Sequence, residues 1–395
     1  MLATSRYKAF VCTGLVLVAL ARAGDFLAAA NTSSASIRSS GGSNFVLIRP
    51  SSYGMAMQEP EASRCAEAGW ADMRSIVSVY NIPAARLAID SQLNALYAAG
   101  QRKITLFLWH FENEYTYPDN VYCTTVKAQA VLPVQYQANV RDLVRKIKQV
   151  GFNQLNFRFG PSNQSNPLGW TAWDEDQYQS NWSIVYNTRN LIYSSLNAVA
   201  GKNPKVVIDL AAEFAGTWML PWEQGPEYKT KNAIKREYAR RLWDDYTKHF
   251  GTLDTIGFSI VPAAREMIEA MIDVYDEVGR GRPASYGFDV YGNIEQVTTG
   301  DPSSIGLQFS YIKAALQAKS ELGKEVYLQE TYFNSPDLRR VLLEAEKTHG
   351  IALSYIYQWP LQYRTGVNYN VSDMSPFMFF LPGFNKTGVY RPSAG

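Results

Sequence analysis

The chain is poor in the residues that most metal and redox chemistry needs. Three cysteines and three histidines stand among 395 residues. The histidines, at 110, 249 and 349, form no pair at a ligand spacing such as H-x-x-x-H, which argues against a zinc hydrolase or a metal-dependent deacetylase. There is no Gly-x-Ser-x-Gly elbow, against a serine-nucleophile hydrolase. No glycine-rich phosphate turn follows an early apolar run, against an open doubly wound nucleotide-binding sheet. No metal and no cofactor are therefore expected. An excess of one charge is also missing: 38 basic and 36 acidic residues give a net +2, so neither nucleic acid nor an anionic membrane is an expected partner. Beyond the first residues, no apolar run is long enough to cross a bilayer of roughly 30 Å, so stable membrane insertion is not expected.

What is present begins with an address. Arg6 and Lys8 precede an apolar run from Ala9 to Leu20, followed by Ala21-Arg22-Ala23, a small-x-small cleavage pattern. Residues 1–23 read as a signal peptide and 24–43, rich in Ala, Ser, Asn and Gly, as a flexible leader, so a secreted or periplasmic protein is expected. Cys12 leaves with the signal, and Cys65 and Cys123 remain as an even pair able to form one disulfide. Asn163, Asn181, Asn370 and Asn385 lie in Asn-x-Ser/Thr sequons, which matter only in a host that secretes through an endoplasmic reticulum. Aromatic residues make up 13%, with 9 Trp and 25 Tyr, enough for a sugar-stacking surface as well as for an aromatic core.

From Asn44 onward, short apolar runs alternate with amphipathic stretches. The expected strands are Phe45–Arg49, Ile104–His110, Gln154–Phe159, Val206–Ala212, Thr255–Val261, Tyr286–Tyr291, Val326–Thr331 and Leu353–Trp359. Helical spacing fills Ala84–Ala99, Val134–Val150, Val185–Ala200, Asn232–Phe250, Ala264–Val278, Ile305–Leu322 and Asp337–Thr348, and a glycine follows most of these segments. Strand and helix alternate without an internal linker, which predicts an α/β fold: a single-domain (β/α)8 TIM barrel over residues 44–395. An eighth helix is not evident, because the chain after Gln362 reads as loop with Pro376, Pro382 and Pro392.

Active sites of such barrels gather at the carboxyl ends of the strands. Glu213 ends the fourth expected strand and Glu330 the seventh. In this the chain resembles the clan of retaining glycoside hydrolases on β/α barrels, whose acid/base Glu ends strand four and whose nucleophile Glu ends strand seven. The resemblance spans Asn44 to Trp359 in strand order. It extends to Trp359, ending the eighth strand where the clan places a Trp under the sugar, and to Tyr291, ending the sixth where an aromatic often hydrogen-bonds the nucleophile. One position departs, since Ala212 stands where the clan usually has Asn before the acid/base. The resemblance implies a retaining O-glycosidase of a poly- or oligosaccharide, with Glu213 and Glu330 catalytic.

Other candidates are local. Arg158 ends the third strand and is placed either to keep Glu330 ionised or as a barrel-floor ion pair. His110 ends the second strand, a sugar contact or a structural histidine. Trp218 and Trp222 follow the fourth strand as a stacking platform or a folded lid, with Trp170 and Trp173 able to extend it. Asp174-Glu175-Asp176 reads as a solvated loop or helix cap, and Glu112 and Glu114 are substitutes should either main acid be misplaced. The competing function is a non-catalytic carbohydrate-binding barrel serving polysaccharide export or assembly.

Overall fold

A computed structural model describes residues 42–44, 47–48, 74–75, 77, 80–98, 102–111, 125–214, 226–290, 303–330, 348–351 and 353–358. In chain order its strands are β1 (Gly42–Asn44), β2 (Leu47–Ile48), β3 (Arg74–Ser75), β4 (Lys103–Phe111), β5 (Thr125–Lys127) and β6 (Gln154–Pro161). There follow β7 (Lys205–Asp209), β8 (Thr255–Gly257), β9 (Ser285–Asp289), β10 (Glu325–Glu330) and β11 (Leu353–Gln358). The architecture is mixed α/β. One sheet has five strands in the order β5-β4-β6-β7-β8, every neighbour parallel. A second has four, β1-β11-β10-β9, also all parallel.

The two sheets are joined where the chain leaves β8. Ile260 forms an isolated parallel bridge with Phe288 of β9, its N–H donating to the Gly287 carbonyl at 3.1 Å and its carbonyl accepting from Asp289 N–H at 2.9 Å. Seven of the eight expected parallel strands coincide with β4, β6, β7, β8, β9, β10 and β11 to within a few residues. The first differs. The strand that pairs with β11 is Gly42–Asn44, ahead of the expected Phe45–Arg49 and reaching into the expected leader, while Leu47–Ile48 pairs antiparallel with β3. Residues 1–41, Cys65, Cys123, all but the last residue of the expected helix Asp337–Thr348 and the chain after 358 lie outside the described residues.

Parallel strands are covered on both faces, so they are buried almost throughout. All eight residues of β6 are buried, yet its two faces differ. Leu155, Phe157 and Phe159 enter the hydrophobic core, whereas Arg158 reaches Asp209 at the end of β7, Asp289 at the end of β9 and the Gln329 carbonyl on β10. Residues from both sheets thus meet in one interior.

The covering helices follow their apolar periodicity. Val134–Val150 buries Val140, Leu143, Val144 and Ile147, one stripe at i, i+3, i+4 and i+7. Gly151 ends it in the left-handed region (φ 105°), and a Cβ there would lie 2.8 Å from the Tyr97 hydroxyl. Glu175–Asn197 begins ten residues before the expected Val185, because Asp174 caps it by accepting the Gln177 N–H at 2.9 Å. The acidic triplet is therefore a helix cap and first turn. Its C-terminal end is held by the Lys148 ammonium, which donates to the carbonyls of Leu196 and Val199. Asn181 sits inside that helix, 1% exposed, donating to the Ser165 carbonyl and to Tyr238 Oη. A glycan at this sequon is incompatible with the packed helix. Among the described residues, no helix is long and apolar enough to cross a membrane.

Candidate active site

The backbone after β7 carries the first acid, and neighbouring strands fix it residue by residue. Leu210 N–H donates to the Gly257 carbonyl, Ala212 N–H to the Phe159 carbonyl at 2.7 Å, and Glu213 N–H to Ser259 Oγ at 2.8 Å. Held this way, Glu213 adopts φ 53°, the left-handed region that non-glycine residues rarely enter. Such a conformation costs about 1–3 kcal/mol and persists where the surroundings over-determine it, commonly at functional sites.

Glu213 is half-buried and opens on a cavity of about 190 Å³ lined by Trp109, Pro161, Asn166, Leu168, Ala212, Phe214 and Val261 as well. Trp109 is its large aromatic wall. The indole stacks on Phe107, with ring centres 5.6 Å apart and planes within 3°. It fits because β6 has glycine opposite: a Cβ on Gly160 would lie 2.2 Å from the Trp109 ring. Gly160→Ala is accordingly expected to destabilise the chain by about 1–3 kcal/mol through overpacking and to shift indole emission. Denaturant unfolding followed by fluorescence checks both. Asn166 Oδ1 accepts the Leu168 N–H at 3.0 Å, capping the short turn Pro167–Gly169 and holding the loop over the cavity.

Beneath this cavity lies a charged cluster without solvent contact. Arg158, 0% exposed, donates from Nε to Asp209 Oδ2 at 2.8 Å, from Nη1 to the Gln329 carbonyl at 2.8 Å, and from Nη2 to Ser259 Oγ and Asp289 Oδ1, each at 3.0 Å. Its guanidinium lies 4.3 Å from the centre of the Phe107 ring. Asp209 Oδ1 also accepts the Ser259 N–H at 3.0 Å. Burial pushes the Asp209 carboxyl upward, against the opposing pull of Arg158 and Ser259.

The second acid, Glu330, is the last residue of β10. A register shift between Leu328 and Glu330 pairs Leu328 with Phe288 and Glu330 with Asp289. The bulge places position 330 beside a strand end whose carboxylate Arg158 holds.

His110 stands apart from the cavity. It is 1% exposed, and Nδ1 has no hydrogen-bond partner among the described residues. Burial pushes its pKa down to about 3. The unfolded chain, near the ordinary 6.5, therefore takes up the proton first, and stability must fall as pH drops from about 6.5 towards 3, by up to about 1.4 kcal/mol per pH unit. His110→Gln is expected to flatten that slope in chemical denaturation series across this range.

Of the expected site residues, the structure brings Glu213 to the cavity, with the strand end at Glu330 tied to the cluster below. Arg158 lies in the floor and His110 in the core. Tyr291, Trp359, Trp218, Trp222, Glu112 and Glu114 lie outside the described residues. Trp170 is buried, its Nε1 donating to the Gln164 carbonyl, and Trp173 packs edge-on against it. Trp109, Asn166, Ser259 and Asp289 were not singled out from sequence. The available signal for Trp109 was the alternation of strand faces: it is the neighbour of His110 and must point the other way. Among the described residues, no group of three or more His, Cys, Asp or Glu is placed to hold a metal ion.

No protein-family model matches the chain, and no curated protein does. Solved structures similar to it include glycoside hydrolases. A β-glucosidase from Exiguobacterium marinum is 9% identical, with 81% of this chain and 89% of that one covered and a TM-score of 0.42. An endo-1,4-β-mannanase from Rhizomucor miehei is 12% identical over 68% and 82% of the two chains, with a TM-score of 0.38. The structure of N2152 from Neocallimastix frontalis is 8% identical, with a TM-score of 0.43; 82% of this chain is covered, and it spans 61% of the length of that one. At these TM-scores the likeness carries no functional weight, which rests on the residues at the cavity.

Proposed function

We propose that this chain is a retaining O-glycoside hydrolase acting on an extracytoplasmic poly- or oligosaccharide, with Glu213 as acid/base and Glu330 as nucleophile. The observation that carries the reading is Glu213 itself, a half-buried carboxylic acid on a strained left-handed backbone, opening on a small cavity walled by Trp109. The fold completing this reading is a closed eight-stranded barrel. The Ile260–Phe288 bridge supports one seam and the proximity of β1 to β4 the other.

Hydrolysis by this pair takes two displacements. In the first, a Glu330 carboxylate oxygen attacks the anomeric carbon, the glycosidic C–O bond breaks, and the Glu213 carboxylic acid passes its proton to the departing oxygen. In the second, Glu213, now ionised, takes a proton from water as the water oxygen attacks the anomeric carbon and releases Glu330. Trp109 offers a flat face for the pyranose C–H groups. Asn166, in the cavity wall, offers the amide that Ala212 cannot.

Ala212 in that wall favours one competitor, a barrel that binds saccharide without cleaving it. Nitrophenyl glycosides, soluble β-glucans, mannans and bacterial exopolysaccharides, incubated with the full chain and followed by NMR, separate the two. Release of product with retained anomeric configuration supports the hydrolase. Inverted product would overturn the mechanism, and tight binding without cleavage would hand the site to the competitor.

A further inference from the structure

The guanidinium of Arg158 touches the backbone supports of both acids, although they lie 117 positions apart in the chain (330 minus 213). On one side, Nη1 donates to the carbonyl of Gln329, the residue directly before Glu330, at 2.8 Å. On the other, Nη2 donates to Ser259 Oγ at 3.0 Å, and that oxygen accepts the Glu213 N–H at 2.8 Å. The connections are short, and Arg158 and Ser259 are 0% exposed. Asp209 and Asp289 hold the guanidinium from two directions, and Asp209 also holds the Ser259 N–H, so neither Arg158 nor Ser259 is free to rotate away.

We infer that Ser259 and Arg158 are positioning residues that set the separation of the two carboxylate-bearing segments through their backbones. This rests on the proposed glycosidase reading and deepens it. Retention needs carboxyl groups about 5–5.5 Å apart, and a misplacement of 1 Å costs a rate factor of about a hundred. The strand pairing of the two segments does not by itself fix that spacing, because one segment follows β7 and the other ends β10 in the second sheet. A planar group with five donors in a fixed fork is suited to tying two backbones at once, and a lysine in its place would not be. The left-handed φ of Glu213 adds a reason for the Ser259 contact: without an acceptor for its N–H, the segment has a relaxed backbone conformation available to it.

The test compares wild type with Ser259→Ala and Arg158→Lys in the full chain, on dinitrophenyl and nitrophenyl glycosides and by amide hydrogen exchange. Ser259→Ala is expected to lower kcat by about 10–100-fold with KM within about threefold, because ground-state binding is intact while alignment is lost. Exchange should quicken in the peptide covering residues 210–214, with the rest of the chain unaltered. Arg158→Lys should quicken exchange in both 210–214 and 326–330. A merely structural role would lower the unfolding temperature and leave the kcat of the folded enzyme unchanged, and that result would overturn the inference. Should no glycoside be cleaved by wild type, the glycosidase reading fails on its own. The positioning inference then stands or falls on exchange, and unchanged protection of both segments in both variants would overturn it.

Discussion

Glu330→Gln is expected to abolish turnover of every cleaved glycoside, and Glu213→Gln to do so selectively. Both substitutions keep shape while removing the carboxylate. Loss of the nucleophile leaves no first displacement, whatever the leaving group. Loss of the acid matters in proportion to how much the departing oxygen needs a proton, typically about 10²–10⁴-fold for an alcohol. A dinitrophenolate departs without one. The ratio of wild-type to Glu213→Gln rates should therefore shrink sharply from a natural disaccharide to a dinitrophenyl glycoside in the glycosylation step, while Glu330→Gln stays inactive on both. Stopped-flow release of dinitrophenolate and quenched-flow release of sugar from the disaccharide measure this, and equal losses on the two substrates would remove Glu213 from the acid role.

Arg158→Met should show the largest stability effect. The guanidinium pairs with two buried carboxylates and is out of contact with water. Deleting one partner of such a cluster leaves uncompensated charge and costs about 3–5 kcal/mol, more than the lost pairing alone. The sign with pH follows. With Arg158 gone, the Asp209 carboxyl, which burial already pushes up against the pull of the guanidinium, rises further, so the folded state binds protons more readily. The deficit of the variant should then be greater at about pH 7 than at about pH 5. Guanidinium unfolding of wild type and variant at the two pH values checks magnitude and direction together. A loss below about 1 kcal/mol would mean that the cluster is hydrated or already neutral.

The strands were legible because apolar runs bounded by turns have few other uses in a chain this long. Val206-Val207-Ile208 and Tyr286 to Asp289 are strands where the pattern puts them. The helix from Glu175 was half-hidden, since its first turns are Glu, Asp, Gln and Asn. Asn181 is held there by hydrogen bonds that its amide donates to distant partners, and no hydropathy reading sees those. Glu213 stands out in the sequence because a strand end is a privileged address, but the same rule favours His110 over Trp109, which lines the cavity. The residue closing an apolar run need not face the cavity; the period of two decides, and here it favours the neighbour. Ser259 and Asp289 escaped for another reason. Ser259 sits within an apolar run, and Asp289 meets Arg158 from 131 positions away, so their value lies wholly in contacts between segments distant in the chain.

If Glu330 makes a covalent bond to sugar while Glu213 serves it, the bound sugar can be trapped on the enzyme. A dinitrophenyl glycoside of the sugar that the panel identifies, fluorinated at the carbon beside the anomeric centre, slows release of the intermediate more than its formation. Intact-mass spectrometry of the full chain, followed by peptide mapping, then locates the bound sugar. One equivalent of fluorosugar on Glu330 is expected in wild type, and none in Glu330→Gln. Label on another carboxylate, or turnover of the unfluorinated glycoside by Glu330→Gln at the wild-type rate, would contradict it.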